Sequence, residues 1–427
     1  MQYIWQYRLW PVADMVATDG RRVRVIDPGQ LNSDSGPDFF NAKVIIGDKT
    51  WAGNVEIHVR ASDWMRHHHD IDPAYDSVIL HVVAVSDRLI IRHDGSPIPQ
   101  LVMDCARDFA VRYSRMVDSP PPGIPCAAEM RSVPQIYITD WITAMAFERI
   151  YAKSDRMLGL VGRFTGNWNE AIYVTLARAL GFGTNAQQFE QLALSVPLRH
   201  LLHHTDDISM VEAMLFGQSG LLDMPHPVDQ YTERLISDYN FLAAKYSLRR
   251  PAIQWKTARM RPPNFPHRRI ATLAALVCRC VAVSNRIFDI SDPADAEGIF
   301  HAALSPYWRT RYNFGAEAAV ASGIPVRPLS RSSLAGLIIN VVVPAMFAYG
   351  VSIADDARCA AAVDILHALR PETNRIVAEF QAAGVPVSDA FSSQALIQVR
   401  KEYCEQKKCL YCRLGHRFLS EKARNRP

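Results

Sequence analysis

The sequence predicts an α+β protein in which a β-rich N-terminal domain is followed by a mostly α-helical one. Short runs rich in Val and Ile, separated by turn signals, occupy residues 1 to about 105. From residue 136 onward, long segments rich in Ala, Leu, Arg and Glu carry apolar residues three to four positions apart. Apolar residues make up 49% and charged residues 21% of the 427, which excludes a mostly disordered, collagen-like or coiled-coil chain.

Five runs in the N-terminal part predict β-strands: RRVRVI, FNAKVII, WAGNVEIHV, SVILHVVAV and RLIIRH. Between the third and fourth, SDWMRHHHDIDPAYD begins with a Ser/Asp cap signal and predicts a short helix or ordered loop. The proline-rich SPPPGIPC cannot continue a helix or a central strand. We therefore predict a β-rich domain over residues 1–118, a linker over 119–135, a helical domain over 136–399 and a basic cysteine-containing tail over 400–427.

The uncharged segment 332–354 has 23 residues, which is long enough to cross a bilayer. It contains polar residues and Pro344, and no second segment of this kind occurs, so we predict a buried core helix broken at Pro344. The first ten residues lack the features of a secretory signal peptide. The eight cysteines are not spaced as a secreted disulfide framework. We therefore expect a cytoplasmic protein without a membrane partner.

The most informative passage is GPDFFNAKVIIGDKTWAGNVEIHV. As a β-hairpin, it places Asp38 at the start of one strand, while Glu56 and His58 point to the same face of the next. Two carboxylates near one point suit Mg²⁺ or Mn²⁺, which prefer oxygen ligands and keep water molecules that can become nucleophiles. His58 is then the candidate that polarises the water or stabilises charge on a phosphate. Further candidates nearby are His67, His69 and His81.

This arrangement resembles the PD-(D/E)xK nuclease superfamily, whose pattern is Pro-Asp, a hairpin and then Asp/Glu-x-Lys. Pro37-Asp38 and Glu56-Ile57-His58 match it, with His58 in place of the lysine. The acidic residue that the superfamily often carries on an upstream helix is missing from residues 1–8. The resemblance implies a mixed-sheet α/β nuclease-like domain and metal-dependent hydrolysis of phosphodiester bonds in DNA or RNA.

A second resemblance covers nearly the whole chain. The string from GPDFF through GNVEIHV and SDW to ILHVV, with RPPNFPHRR and CEQKKCLYC, is similar to an uncharacterised bacterial family of domains of unknown function. This resemblance implies membership of a family and no particular activity. The nuclease hypothesis therefore depends on the geometry of Asp38, Glu56 and His58.

Three cysteines in the tail, Cys404, Cys409 and Cys412, are spaced as metal ligands rather than as disulfide partners in a protein of cytosolic type. A Zn²⁺ ion or an iron–sulfur cluster needs a fourth ligand, which His416 offers locally. Cys126 is the alternative, and that layout would resemble the iron–sulfur-clasped nucleases of the same superfamily, in which a distant cysteine joins three C-terminal ones. Both alternatives stay open at this point.

The net charge of +4 conceals a segregated distribution. Residues 239–288 carry ten basic and no acidic side chains, and residues 400–427 carry nine basic and three acidic ones, so the rest sums to −12. Arginines interleaved with aromatic residues predict a nucleic-acid surface. We assign it to Arg249, Arg250, Lys256, Arg259, Arg261, Arg268 and Arg269. The alternative is a helical region whose arginines are dispersed or pair with the acidic remainder.

The leading hypothesis is thus a divalent-metal-dependent nuclease. The competing hypothesis is a catalytically degenerate nucleic-acid-binding or scaffold protein with the same fold, and a third is a metal hydrolase that uses the histidines on another substrate. The sequence contains no Walker A loop, no GxGxxG after a predicted strand and no GxSxG elbow. Nucleotide hydrolysis by a P-loop and nicotinamide chemistry are therefore unsupported.

Overall fold

A mixed β-sheet and a large set of helices make up the protein, which confirms the predicted α+β class. The structure, a computed structural model, describes residues 1–10, 15–32, 34–92, 94–103, 105–118, 123–224, 228–281, 285–315 and 329–424. It divides into two compact units. The first comprises Met1–Trp141, Glu379–Val385 and Val399–Pro427, and the second comprises Ile142–Ala378 and Pro386–Gln398. The C-terminal tail thus belongs to the same unit as the N-terminal sheet.

The first unit contains seven strands in the order β1-β2-β4-β5-β6-β7, with β3 paired to β4. They are β1 Met15–Val16, β2 Arg22–Asp27, β3 Gln30–Leu31, β4 Phe39–Ile46, β5 Lys49–Arg60, β6 Val78–Val85 and β7 Gln100–Val102. Strands β4 and β5 form the predicted antiparallel hairpin, while β6 runs parallel to both β5 and β7. A bridge between Ala17 and Leu101 brings the two ends of the sheet together, so the sheet is nearly a closed barrel.

One predicted strand, RLIIRH, is wrong. Ile91 pairs with Pro97 in an isolated bridge of a local turn, and the sheet continues instead at the short strand β7. The side chain of Arg92 donates hydrogen bonds to the carbonyl of Val78, at 2.7 and 3.3 Å, and so ties this turn to the start of β6. A short apolar run such as RLIIRH occurs in turns as well as in strands, so its composition alone does not distinguish the two.

The helices of the first unit cover both the sheet and the tail. They are α1 Gln2–Gln6, α2 Asp63–Arg66, α3 Cys105–Val117, α4 Ala127–Met130 and the first part of α5 Gln135–Arg163. A 3₁₀ turn follows α2 at Pro73–Tyr75, and the tail contributes a π-helix Val399–Cys404. The final helix, α19, spans Arg413–Arg424 and is numbered after the thirteen helices of the second unit. Residues 119–122 of the predicted linker lie outside the described residues.

The two faces of the sheet carry different kinds of side chain, because successive side chains along a strand point to opposite faces. Val55 and Ile57 of β5 belong to the main apolar core, together with Trp5 of α1 and Leu419 of α19. The intervening residues of β5 point to the other face. There the parallel connection from β5 to β6 crosses over the sheet, as parallel pairing requires. This crossover carries α2, the 3₁₀ turn and a smaller apolar cluster around Trp64.

The second unit is helical throughout its described regular structure, as predicted from residue 136 onward. Its helices are α6 Trp168–Leu180, α7 Ala186–Ser195, α8 Leu198–Leu202, α9 Ile208–Ser219, α10 Gln230–Tyr246, α11 Pro266–Cys278, α12 Pro293–Ile299, α13 Pro306–Arg309, α14 Arg331–Leu337, α15 Val343–Ser352, α16 Asp356–Ala368, α17 Arg375–Ala382 and α18 Ala390–Gln398, with part of α17 in the first unit. Short 3₁₀ turns occur at Leu221–Asp223, Pro262–Asn264 and Asn285–Phe288.

One helix among the described residues, Arg331–Ser352, is long and apolar enough to cross a membrane, and most of its residues are buried in the protein. The predicted break at Pro344 is wrong, because α14 and α15 are joined without interruption by a π-helix, Ile338–Val342. Pro344 lies in the first turn of α15, directly after the π-helix. The wider π turn accommodates the proline ring and its missing N–H, which a regular α-helix does not.

Candidate functional site

Strand β5 presents two buried polar side chains to the face beneath the crossover. Glu56 and His58 are only 4% and 7% exposed, and they lie two residues apart on the same face. Glu56 pairs in register with His81 of the parallel strand β6. The sheet therefore brings a carboxylate and two imidazoles together through backbone pairing alone.

Asp38 and Glu56 are locked to each other through the backbone of the hairpin. The N–H of Asp38 donates to Oε2 of Glu56 at 3.0 Å, and the N–H of Ile57 donates to Oδ2 of Asp38 at 3.1 Å. The side-chain amide of Gln2, in α1, donates to Oδ1 of Asp38 at 2.6 Å. Each oxygen of Asp38 and one oxygen of Glu56 therefore accept a protein hydrogen bond, and Oε1 of Glu56 faces the imidazoles.

Three imidazole nitrogens lie close together beside Oε1 of Glu56. Nε2 of His58 and Nε2 of His69 lie 3.4 and 3.3 Å from that oxygen. Nδ1 of His67 lies 3.2 Å from Nε2 of His58, and one nitrogen from each of these three histidines lies within 4.8 Å of the others. Of the three, His67 is exposed, so the cluster opens to solvent at that side. We call these four side chains the Glu–His₃ cluster.

The turn after α2 explains how two histidines of the HHH run reach the cluster while the third does not. His68 adopts a left-handed backbone conformation with φ of +62° and is exposed. This conformation reverses the chain so that the residues on either side both face β5. The ring of His69 is further held by stacking on Tyr75, with ring centroids 3.7 Å apart.

Burial sets the protonation of the cluster. It lowers the pKa of His58 and of His69 to about 4 each, with the neighbouring imidazoles adding to the effect. Burial, reinforced by the charge of Asp38, raises the pKa of Glu56 to about 8. Near neutral pH the two imidazoles are thus neutral and ready to bind a cation, while Glu56 retains a proton until a positive charge displaces it.

The sequence-predicted residues Asp38, Glu56, His58, His67, His69 and His81 therefore lie together, but the arrangement differs from a two-carboxylate site. Imidazoles outnumber carboxylates, and Asp38 is anchored by protein donors. Sequence reasoning missed Gln2 and Tyr75, because neither carries a signal in the motif. Gln2 stands 36 positions before its partner, and only the folded chain brings them into contact.

A second cluster lies in the tail. Cys126, Cys404, Cys409 and Cys412 line one small cavity of about 20 Å³ with an apolar wall that includes Trp141 and Phe380. Burial raises the pKa of Cys126, and the three tail thiols raise it further. Burial also raises the pKa of Cys404 to about 12, and the neighbouring Cys412 and Cys409 add to the effect. The four side chains are therefore held as neutral thiols that share one apolar cavity.

His416 does not line that cavity. Its Nδ1 is hydrogen bonded to the hydroxyl of Tyr3, and its ring packs edge-on against the rings of Tyr3 and Tyr7, with centroids 5.7 and 4.7 Å apart. Of the two fourth ligands that the sequence left open, the geometry favours Cys126 over His416.

Only part of the predicted nucleic-acid surface is exposed. Arg249, Arg250, Lys256, Arg259 and Arg261 are exposed. Including Arg268 and Arg269 was wrong, because they are buried in α11, where their guanidinium groups lie over the rings of Tyr312 and Phe182. A buried, stacked guanidinium stabilises the helix packing and cannot reach a phosphate. Arg250 is also paired with Asp223.

Comparison with known proteins identifies a family. A family model described as "Protein of unknown function (DUF2851)" matches residues 1–375, which include the Glu–His₃ cluster and Cys126. No curated protein and no solved structure matches the chain. Because the match covers most of the sequence, the chain belongs to the DUF2851 family of proteins of unknown function.

Proposed function

We propose that the protein is a divalent-metal-dependent nuclease that hydrolyses phosphodiester bonds in DNA or RNA, with its metal held by Glu56, His58, His67 and His69. The observation that carries this proposal is the convergence of one nitrogen from each of His58, His67 and His69, beside Oε1 of Glu56, at a place that opens to solvent. Three imidazoles and one carboxylate form a ligand set for a divalent transition metal.

The ligand set bears on which cation binds. Imidazole nitrogen best suits Zn²⁺, Fe²⁺, Ni²⁺ or Cu²⁺, and Mn²⁺ stands at the weak end of the same series of divalent first-row metals, whereas Mg²⁺ prefers oxygen ligands. Of the two cations expected from the sequence, Mn²⁺ is therefore favoured over Mg²⁺. Such a cation supplies a Lewis acid and lowers the pKa of a water molecule bound to it.

The surrounding residues have distinct roles in this proposal. His81 holds the ring of His58 from behind, through the 2.9 Å contact between Nε2 of His81 and Nδ1 of His58. Asp38 holds the backbone that carries Glu56 and leaves Oε1 of Glu56 available. Exposed His67 completes the ligand set at the side that opens to solvent. Asp38 is thus a positioning residue rather than a metal ligand.

Support for a phosphodiester substrate comes from the hairpin. Asp38 at the start of β4 and Glu56 on β5 occupy the two positions at which the PD-(D/E)xK pattern places its carboxylates. Five exposed basic side chains in residues 249–261 are suited to binding a phosphate backbone.

The test is metal content combined with cleavage. We expect purified protein to bind one Mn²⁺ per chain at the Glu–His₃ cluster and to cleave DNA or RNA only with a divalent cation. Glu56→Ala and His69→Ala should abolish both binding and cleavage. His68→Asn is the matched control, because His68 lies within the same run but outside the cluster, and asparagine tolerates its backbone conformation. Cleavage that persists in folded Glu56→Ala would contradict the assignment of the Glu–His₃ cluster as the nuclease site.

A non-catalytic nucleic-acid-binding protein is the second candidate. The observation that favours it is that both oxygens of Asp38 already accept protein hydrogen bonds and that His58 replaces the lysine of the nuclease pattern. Salt-sensitive binding of DNA or RNA, without divalent-dependent turnover, would support it. Stoichiometric metal binding without either cleavage or nucleic-acid binding would instead favour a hydrolase with another substrate.

We further propose that Cys126, Cys404, Cys409 and Cys412 hold either Zn²⁺ or an iron–sulfur cluster. Anaerobic purification followed by metal analysis and a visible absorption spectrum distinguishes the two, since only the cluster absorbs strongly in the visible range. Cys126→Ser should lose the metal and His416→Ala should retain it. Cys278→Ser, which changes a thiol outside the cavity, is the control.

A further inference from the structure

The short helix α1 lies between the two proposed metal sites and contacts a residue of each region. At its start, the amide of Gln2 donates to Oδ1 of Asp38 at 2.6 Å. One residue later, the hydroxyl of Tyr3 is hydrogen bonded to Nδ1 of His416 in α19. Adjacent residues of one helical turn thus bind the hairpin carboxylate on one side and the C-terminal helix on the other.

Helix α1 is too short to be stable by itself. It has only five residues, far fewer than the ~12–15 at which an isolated helix becomes marginally stable. Its placement depends on packing, which includes the burial of Trp5 and the hydrogen bond from its indole to the carbonyl of Pro28 at 2.9 Å. The contact between the rings of Tyr3 and Phe109, with centroids 5.5 Å apart, adds a third support.

His416 in turn is tied to the cysteine cluster through one helical turn. Helix α19 begins at Arg413, directly after Cys412, and the N–H of His416 donates to the carbonyl of Cys412 at 2.7 Å. Whatever fixes Cys412 therefore also fixes the backbone of His416. The tail is held further by the hydroxyl of Tyr113, which donates to the carbonyl of Lys407 at 2.9 Å.

We propose that Tyr3 and His416 are positioning residues that couple the C-terminal cysteine cluster to the Glu–His₃ cluster through Gln2 and Asp38. Filling the cysteine cluster holds α19, α19 holds Tyr3, and the helix that contains Tyr3 presents Gln2 to Asp38. Asp38 then fixes the backbone of Glu56 and Ile57. The role assigned to the Glu–His₃ cluster rests on the proposed function, whereas the contact chain itself does not.

The amide of Ile57 provides a readout that needs no activity and no metal in the Glu–His₃ cluster. Its N–H donates to Oδ2 of Asp38, so its hydrogen exchange reports whether the Asp38 carboxylate stays in place. We expect Tyr3→Phe, which removes only the hydroxyl, and His416→Ala each to speed exchange at Ile57 at least threefold. Cys409→Ser should have the same effect. Gln6→Ala, a change on the same helix away from these contacts, is the control and should leave the exchange unchanged.

A double-mutant cycle separates coupling from general loosening. In a Gln2→Ala background, Tyr3→Phe should add little further acceleration at Ile57, because the link to Asp38 is already cut. Unchanged exchange in folded Tyr3→Phe, or full additivity with Gln2→Ala, overturns the proposal.

Titration with Co²⁺ at the Glu–His₃ cluster then completes the test. We expect the dissociation constant of Co²⁺ to be about three- to tenfold higher in Tyr3→Phe than in the wild type. Equal dissociation constants in the two proteins would overturn the link to the metal site. Lack of Co²⁺ binding by the wild type counts against the proposed function, while the exchange data still decide the contact chain.

Discussion

His58 and His81 are joined ring to ring, with Nδ1 of His58 2.9 Å from Nε2 of His81. For Nε2 of His58 to offer its lone pair to a cation beside Glu56, Nδ1 must carry the proton and donate it to His81. The His81 ring is fully buried and packs edge-on against Trp64, with ring centroids 5.2 Å apart, so it cannot turn away. With a cation bound at Nε2, this buried pair would set both the tautomer and the orientation of His58.

Replacing His81 should weaken metal binding without touching a ligand. His81→Leu removes the acceptor for Nδ1 of His58, and loss of such an outer partner lowers metal affinity by roughly 10–100-fold. His81→Gln restores an acceptor and should recover part of the loss. Competition titration with Mn²⁺ or Co²⁺ measures both variants. Equal affinities in wild type and folded His81→Leu would contradict the assigned role.

Metal affinity should depend on pH through Glu56 rather than through His58 and His69. The pKa of Glu56 is raised to about 8, so below that pH a cation must displace its proton, whereas His58 and His69, with pKa values of about 4, are already neutral. Apparent affinity should rise about tenfold per pH unit between about 6 and 8 and then level off. Glu56→Gln should flatten this rise. An unchanged pH dependence in folded Glu56→Gln would contradict the expectation.

Glu212 in α9 provides a stability prediction in the second unit. It is fully buried, one oxygen accepts a 2.9 Å hydrogen bond from Tyr231, and burial raises its pKa to about 7. The folded state therefore holds the proton more tightly than the unfolded state, and stability falls as pH rises from about 4.5 to about 7. Glu212→Gln should exceed the wild type in unfolding free energy by about 1–3 kcal/mol at pH 8 and by little at pH 4.5. Urea unfolding at the two pH values tests this, and an equal difference at both would refute it.

Gly53 lets β5 and β6 approach closely beside the site. A Cβ there would lie 2.4 Å from Cγ2 of Ile79 and 2.9 Å from the carbonyl of Ser77. Gly53→Ala should therefore destabilise the protein by about 1–3 kcal/mol through overpacking. Gly159→Ala in α5 is the matched control, because a Cβ there meets nothing within 4 Å, and it should be neutral or stabilising by up to about 1 kcal/mol. Thermal unfolding compares the two, and equal midpoints would contradict the predicted clash.

Local pattern was sufficient for much of the fold. Alternating Val and Ile residues predicted β2, β4, β5 and β6, and three-to-four-residue spacing predicted the helical second part. The hairpin of β4 and β5 followed from the turn at residues 47–48, and the side-chain period of two placed Glu56 and His58 together. These features depend on contacts between residues that are close in sequence.

Local pattern failed where short segments depend on distant partners. The run RLIIRH has a strand composition but forms a turn, while the three-residue strand β7 has too little sequence to stand out. Pro344 predicted a helix break, but the helix continues through a π-helix that lies just before the proline. In each case the packing of neighbouring elements overrode the local preference.

By itself, the sequence determined the α+β class, the carboxylate-bearing hairpin, the supply of histidines and the three clustered cysteines of the tail. Only the tertiary structure decided that His58, His67 and His69 lie together beside Glu56, that Gln2 holds Asp38 and that Cys126 rather than His416 faces the tail cysteines. The physical reason is that pairing and periodicity act over a few residues. The crossover turn at His68 and the meeting of Cys126 with a tail some 280 residues later depend on how the whole unit packs.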